Sequence, residues 1–139
     1  MTRDYFSPAL SPDDIQGISS IGLAHIGDAV YELLVRSWLC SHGKATGKGL
    51  HRATVELVCA QAQAAGSGKL LPLLTEEESA VFRRGRNANT HSISSSASRS
   101  EYQKATALEA LFGWLYLSGQ RERINALFAV LMGDVDDGT

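Results

Sequence analysis

Apolar residues recur at helical spacing along most of the chain, in runs broken by glycine, proline and serine, with no convincing strand alternation, so the pattern predicts an all-α fold. Ser11-Pro12-Asp13-Asp14 starts a short helix ending near Gly17, with serine as cap and proline at the first helical position. Ser19 or Ser20 caps a second helix that runs to about Ser41 and stops at His42-Gly43. Leu23, Ile26, Val30, Leu33, Leu34 and Trp38 mark its expected buried side, and His25, Asp28, Glu32 and Arg36 share another face. A loop carrying Gly43, Gly47 and Gly49 follows, and then a third helix from about Leu50 to Ala65 that ends in Gly66-Ser67-Gly68.

Beyond the apolar run Leu70 to Leu74, Thr75-Glu76-Glu77-Glu78 reads as a capping box whose extra acids suit a helix N-terminus. That helix leads into Arg83-Arg84-Gly85-Arg86-Asn87. Residues 87–99 are rich in serine and asparagine and predict a flexible loop. Ser100, with Gln103 three residues on, caps a helix to about Ser118, and after Gly119 a last amphipathic helix runs to Met132. The tail from Gly133 to Thr139 is acidic and expected to fray.

Two places break this regular pattern. In Ile26-Gly27-Asp28-Ala29-Val30 a carboxylate directly follows a glycine inside an apolar helix, where glycine costs about 1 kcal/mol relative to alanine. In Leu108-Glu109-Ala110-Leu111-Phe112-Gly113 an acid again lies in an apolar run, with a glycine one turn on along its own face. The two acids are candidates for one metal site.

Length and charge refine the picture. A chain of 139 residues is expected to form a single domain, 1–139, with its core between about 10 and 132. The net charge of -2 is an average over unlike segments: Arg36 to Lys69 and Arg83 to Lys104 each carry +4, and the remainder carries -10. A basic face is therefore compatible with an acidic whole. With no apolar run long enough to span a bilayer and no signal-peptide core, a cytoplasmic protein is expected, without a membrane partner. Cys40 and Cys59 are expected to form a reduced, buried pair. The four histidines show no zinc spacing, no Cys-x-x-Cys occurs, and no glycine-rich loop points to a nucleotide cofactor.

The run Leu23-Ala24-His25-Ile26-Gly27-Asp28-Ala29-Val30-Tyr31-Glu32 resembles the signature helix of the ribonuclease III family, and Leu108-Glu109-Ala110-Leu111-Phe112-Gly113 resembles its second acidic motif. The order, the separation and the intervening Arg83-Arg84-Gly85-Arg86-Asn87-Ala88 are similar to a branch of that family made of a dimeric catalytic domain without a double-stranded-RNA-binding domain. The chain departs from the larger members, whose further acids fall on Ile21, Ala24 and Thr106. Two carboxylates remain, as in the reduced branch.

The resemblance implies a magnesium-dependent endoribonuclease, with manganese able to substitute, that cleaves double-stranded RNA and leaves 5′-phosphate and 3′-hydroxyl ends. It also implies a homodimer and a role in maturing the 23S ribosomal RNA precursor. Asp28 and Glu109 take the places of catalytic metal ligands, which suits an ion that uses one or two protein carboxylates with water and substrate phosphate. Glu32 could be a ligand, orient metal-bound water, or pair with Arg36; Thr106 could offer its hydroxyl or be an ordinary helix residue. RNA contact is assigned to Arg83, Arg84, Arg86 and Asn87, and to a second face with Lys44, Lys48, His51 and Arg52. The competing classes are a non-catalytic RNA-binding or ribosome-associated protein on the same fold, and a helical metal-dependent nucleotide hydrolase.

Overall fold

The computed structural model describes residues 4–43, 46–88 and 98–134. Its order is α1 (Pro12–Gln16), α2 (Ser20–Ser41), α3 (Gly47–Val58), α4 (Ala60–Leu70), a 3-10 turn (Leu71–Leu73), α5 (Glu76–Arg86), α6 (Arg99–Leu117) and α7 (Arg121–Met132). Among the described residues there is no strand. Helix α6 is apolar nearly all round, from Ala105 to Leu117, and a helix of that composition must be enclosed. Helices α2, α4 and α5 pack against it, and α7 closes the end of α4 and α6.

The main core gathers Tyr31, Val35, Leu39, Leu70, Phe82, Leu108, Leu111, Phe112, Leu115 and Leu127. Tyr31 meets Phe112 and Phe128 edge to face, at centroid distances of 5.5 and 6.1 Å, the geometry favoured by ring quadrupoles. A smaller cluster of Ile15, Leu23, Ala24, Val81, Ala110 and Leu117 joins α1 and the start of α2 to the rest.

Several local expectations hold. Ser11 caps α1, Ser19 caps α2, and Thr75 forms a reciprocal capping box with Glu78. Three are corrected. The buried side of α2 is Leu23, Ala24, Gly27, Tyr31, Val35 and Leu39, rotated about one position from the expected stripe, and Leu33 is 57% exposed. The rotation follows from the close contact at Gly27 described below, which turns a glycine rather than a bulky side chain toward α6.

The third expected helix is two. Cys59 is extended (φ -66, ψ 159) and separates α3 from α4, which continues through Gly66-Ser67-Gly68. Gly66 lies within α4 where α7 approaches: a Cβ there would lie 2.8 Å from Leu131 Cδ2. Finally, α6 is capped by Ser98 with Glu101, two residues before the expected Ser100 and Gln103. An ionised Glu is the stronger acceptor for the N-cap N–H. Asn87, Ala88, Ser98 and Arg99 therefore belong to helix ends; the rest of the expected 87–99 loop lies outside the described residues, as do Lys44 and tail residues 135–139.

Both cysteines are free, but Cys40 is exposed and Cys59 only partly covered, so the expected buried pair does not form. Cys40 falls just past the end of the buried stripe at Leu39. Asp134 is tied back, accepting a 2.6 Å hydrogen bond from Trp38 Nε1.

Candidate active site

Helices α2 and α6 touch backbone to backbone. A Cβ on Gly27 would overlap the carbonyl of Glu109, and one on Gly113 would overlap the carbonyl of Leu23. The two glycines that looked costly in the sequence are therefore the contact itself. This crossing puts Asp28, next to Gly27, beside Glu109, whose own carbonyl lies on Gly27.

The two carboxyl groups are neighbours. They share a small cleft of about 200 Å³ with Ile21, Ala24, His25, Tyr102 and Thr106. Asp28 is exposed and Glu109 is partly covered. Burial, followed by the hydrogen bond and the negative charge of Asp28, pushes the Glu109 carboxyl up to about 8. Below that value Glu109 keeps its proton unless a compensating positive charge displaces it. Burial, with smaller contributions from Cys59 and Glu109, also pushes the Tyr31 phenol up to about 12.

The other expected site residues separate. Glu32 pairs with Arg36 at 3.4 Å, both side chains substantially exposed, and does not line the cleft. Thr106 lines it, but its hydroxyl donates to Tyr102 O at 3.0 Å in its own helix. Arg83, Arg84 and Arg86 are exposed on the last turns of α5, with Asn87 as C-cap. Gly85 among them faces inward, where a Cβ would lie 2.9 Å from Ala110 Cβ, so it serves packing on α6. Arg84 also borders a wider groove with Leu10, Pro12, Glu77 and Trp114. Lys48, His51 and Arg52 are exposed around the irregular start of α3, where Gly49 has φ 90.

Two neighbours of the acids, Tyr102 and Gln63, had no marker in the sequence, whereas His25 was expected on the Asp28 face. Tyr102 and His25 flank the cleft from opposite helices. Gln63 reaches Glu109 from α4 and is 2% exposed. The available signal was its place four residues before Ser67 and seven before Leu70, a helical face that is buried.

Two helices thus cross at glycines and each presents one acid to a common cleft, in a chain whose described residues are helical and without strands. Residues 22–120 match the family model described as "Ribonuclease III domain", and the chain belongs to the ribonuclease III family. It is an endoribonuclease. Within the family it is similar to Mini-ribonuclease 3 of Symbiobacterium thermophilum, 44% identical over 116 residues, 84% of this chain and 89% of that protein. Mini-ribonuclease 3 of Enterococcus faecalis is 39% identical, covering 82% of this chain and 88% of that one. Mini-ribonuclease 3 of Clostridium tetani is 33% identical over 95% of this chain and 88% of its own. A crystal structure of a protein from Fusobacterium nucleatum superposes with a TM-score of 0.79 at 31% identity, covering 86% of this chain and 98% of that one.

Proposed function

We propose that this chain cleaves double-stranded RNA at the Asp28–Glu109 cleft, using a divalent cation held by those two carboxylates. The observation that carries the reading is the pair itself: two acids forced together by a backbone crossing, with Glu109 keeping its proton up to about pH 8 unless positive charge replaces it. The donor set fits magnesium, with manganese as substitute. It is all oxygen, and among the described residues no group of three or more His, Cys, Asp or Glu is placed to hold a metal. Such an ion, when bound, activates water and offsets charge on the leaving oxygen.

The chain's own residues then have distinct tasks. Glu109, partly enclosed, fixes one ligand direction, and Asp28 on the open side leaves room for a phosphate to enter. The Thr106 side chain shapes the wall where larger family members carry an acid. Arg83, Arg84, Arg86 and Asn87, with Lys48, His51 and Arg52, supply exposed positive charge and polar groups for the backbone of an A-form duplex, and Lys44, outside the described residues, belongs to the same basic stretch of sequence. A broad, shallow duplex surface is poorly spanned by one small domain, which supports a homodimer with one cleft for each strand. The resemblance to Mini-ribonuclease 3 supports a cytoplasmic role in maturing the 23S ribosomal RNA precursor, with 5′-phosphate and 3′-hydroxyl products.

The test is gel-resolved cleavage of a long RNA duplex by wild type and Asp28→Asn, with magnesium and with EDTA. Cleavage confined to wild type with magnesium is the expected result. Clean, folded wild type that leaves both that duplex and a 23S precursor transcript intact would overturn the reading in favour of a non-catalytic RNA-binding protein.

A further inference from the structure

Five further side chains line the Asp28–Glu109 cleft. Ile21 and Ala24 are apolar, and the Thr106 hydroxyl is spent on Tyr102 O at 3.0 Å. His25 and Tyr102 remain, and among the described residues no arginine or lysine lines the cleft. An RNA strand laid across the acids brings more than the phosphate that the cation meets: the phosphates on either side carry full charge beside a carboxylate pair. A fixed cation there would neutralise the acids themselves, as Arg123 does for Glu78 with Nε 2.8 Å from Oε2. A neutral hydroxyl donates to a phosphate oxygen without doing so.

Local structure holds Tyr102 at the edge of the cleft. It follows the reciprocal capping box of Ser98 and Glu101, its N–H donates to Ser98 O at 3.0 Å, and its carbonyl accepts from Thr106. Tyr102, Thr106 and Glu109 are spaced four and three on one face of α6, which puts Tyr102 about 10 Å from Glu109 along the helix axis. Its side chain is partly covered, and among the described residues its hydroxyl has no hydrogen-bond partner.

We propose that Tyr102 contacts the substrate: its phenol O–H donates to a non-bridging oxygen of a phosphate next to the scissile one, and so sets the register of the strand over Asp28 and Glu109. This rests on the duplex-cleaving reading of the cleft given above. The two turns of α6 between Tyr102 and Glu109 assign the hydroxyl to a flanking phosphate and leave the scissile one to the acids and their cation.

The test is a double-mutant cycle across protein and substrate. The position at which wild type cuts a defined RNA duplex is mapped, and methylphosphonate, which lacks the charged oxygen, then replaces each flanking phosphate in turn. Tyr102→Phe is expected to lower kcat/KM on the unmodified duplex about tenfold, the loss of one hydrogen bond to a charged acceptor, and to do so through KM, because the contact holds substrate and transition state alike. A similar weakening of Kd should appear when Tyr102→Phe is added to Asp28→Asn, whose complex with the duplex stays uncut. Tm and the magnesium concentration for half-maximal cleavage should equal those of wild type. At one flanking position methylphosphonate should cost wild type a similar factor and cost Tyr102→Phe nothing further. Unchanged KM and Kd in the folded variant, losses that multiply at both flanking positions, or a shifted magnesium requirement would each overturn the assignment; if the Phe form does not fold, Tyr102→Leu is read in its place. Failure of the Tyr102 proposal leaves wild-type duplex cleavage intact, whereas absence of that cleavage in wild type is failure of the underlying reading.

Discussion

Glu78 and Glu109 are both covered glutamates on helices that pack together, and they differ in every other respect. Glu78, 3% exposed, receives two 2.8 Å hydrogen bonds from Arg123, one from Nε to Oε2 and one from Nη2 to Oε1. Its Oε1 also accepts from the Thr75 backbone N–H. These partners hold its carboxyl below the usual carboxylate range, the Arg123 hydrogen bond contributing most. Glu109 has a second acid for its neighbour and is pushed up to about 8. One acid has its countercharge built into the chain and joins α5 to α7; the other lacks one, and the proposed cation would supply it. Covered acids are thus functional candidates only when their neutralising charge is missing.

The sharpest way to break the comparison is to neutralise each acid in turn. Glu109→Gln and Asp28→Asn are expected to reduce duplex cleavage by at least about a thousandfold, with circular dichroism and Tm near wild type, because they remove ligands and not core volume. Retained cleavage in either variant would remove that residue from the site. Arg123→Ala is expected to do the reverse. It strands a buried carboxylate and should cost about 2–3 kcal/mol of stability, discounted for the partial exposure of the pair, while leaving cleavage by the folded fraction unchanged; urea unfolding measures it.

Gly27→Ala tests the crossing on which the site depends. An added methyl meets backbone that no rotamer change can move, so a loss of about 3 kcal/mol or more is expected, with cleavage falling alongside stability.

pH separates the acids by sign. A raised Glu109 makes the native state bind the extra proton between the ordinary carboxyl value of 4.5 and about 8. Metal-free stability from this group is therefore full below that window and lost as pH rises through it. Glu78 is depressed, so its contribution is present above the ordinary carboxyl value and lost as pH falls through its lower folded one. Thermal melts without metal should weaken from about pH 5 to 8, and magnesium should restore more stability at the upper end than at the lower; a magnesium effect independent of pH would contradict the raised Glu109.

The smallest effects belong to the exposed charges. Arg84→Ala and Arg86→Ala should weaken RNA binding and lower the salt slope by about 1 each without changing Tm. An unchanged slope would remove α5 from the RNA surface.

Local chemistry was legible in the chain. The Ser11, Ser19 and Thr75 caps, the two acids and their glycines can be read because each depends on residues within one turn. Features requiring a partner helix could not be so read. The buried stripe of α2 turned to place Gly27 against Glu109, so Leu33 faced outward and Tyr31 inward. Gly66-Ser67-Gly68 looked like a stop, yet α7 fills the space above Gly66 and the helix continues. The sequence by itself determined that two carboxylates sit beside glycines in apolar helices, since identity and spacing carry that. Only the tertiary structure decided that Glu109 has Asp28 and Gln63 for neighbours and Glu78 has Arg123, because whether a covered charge is satisfied is set by the helix packed opposite and not by the one that bears it.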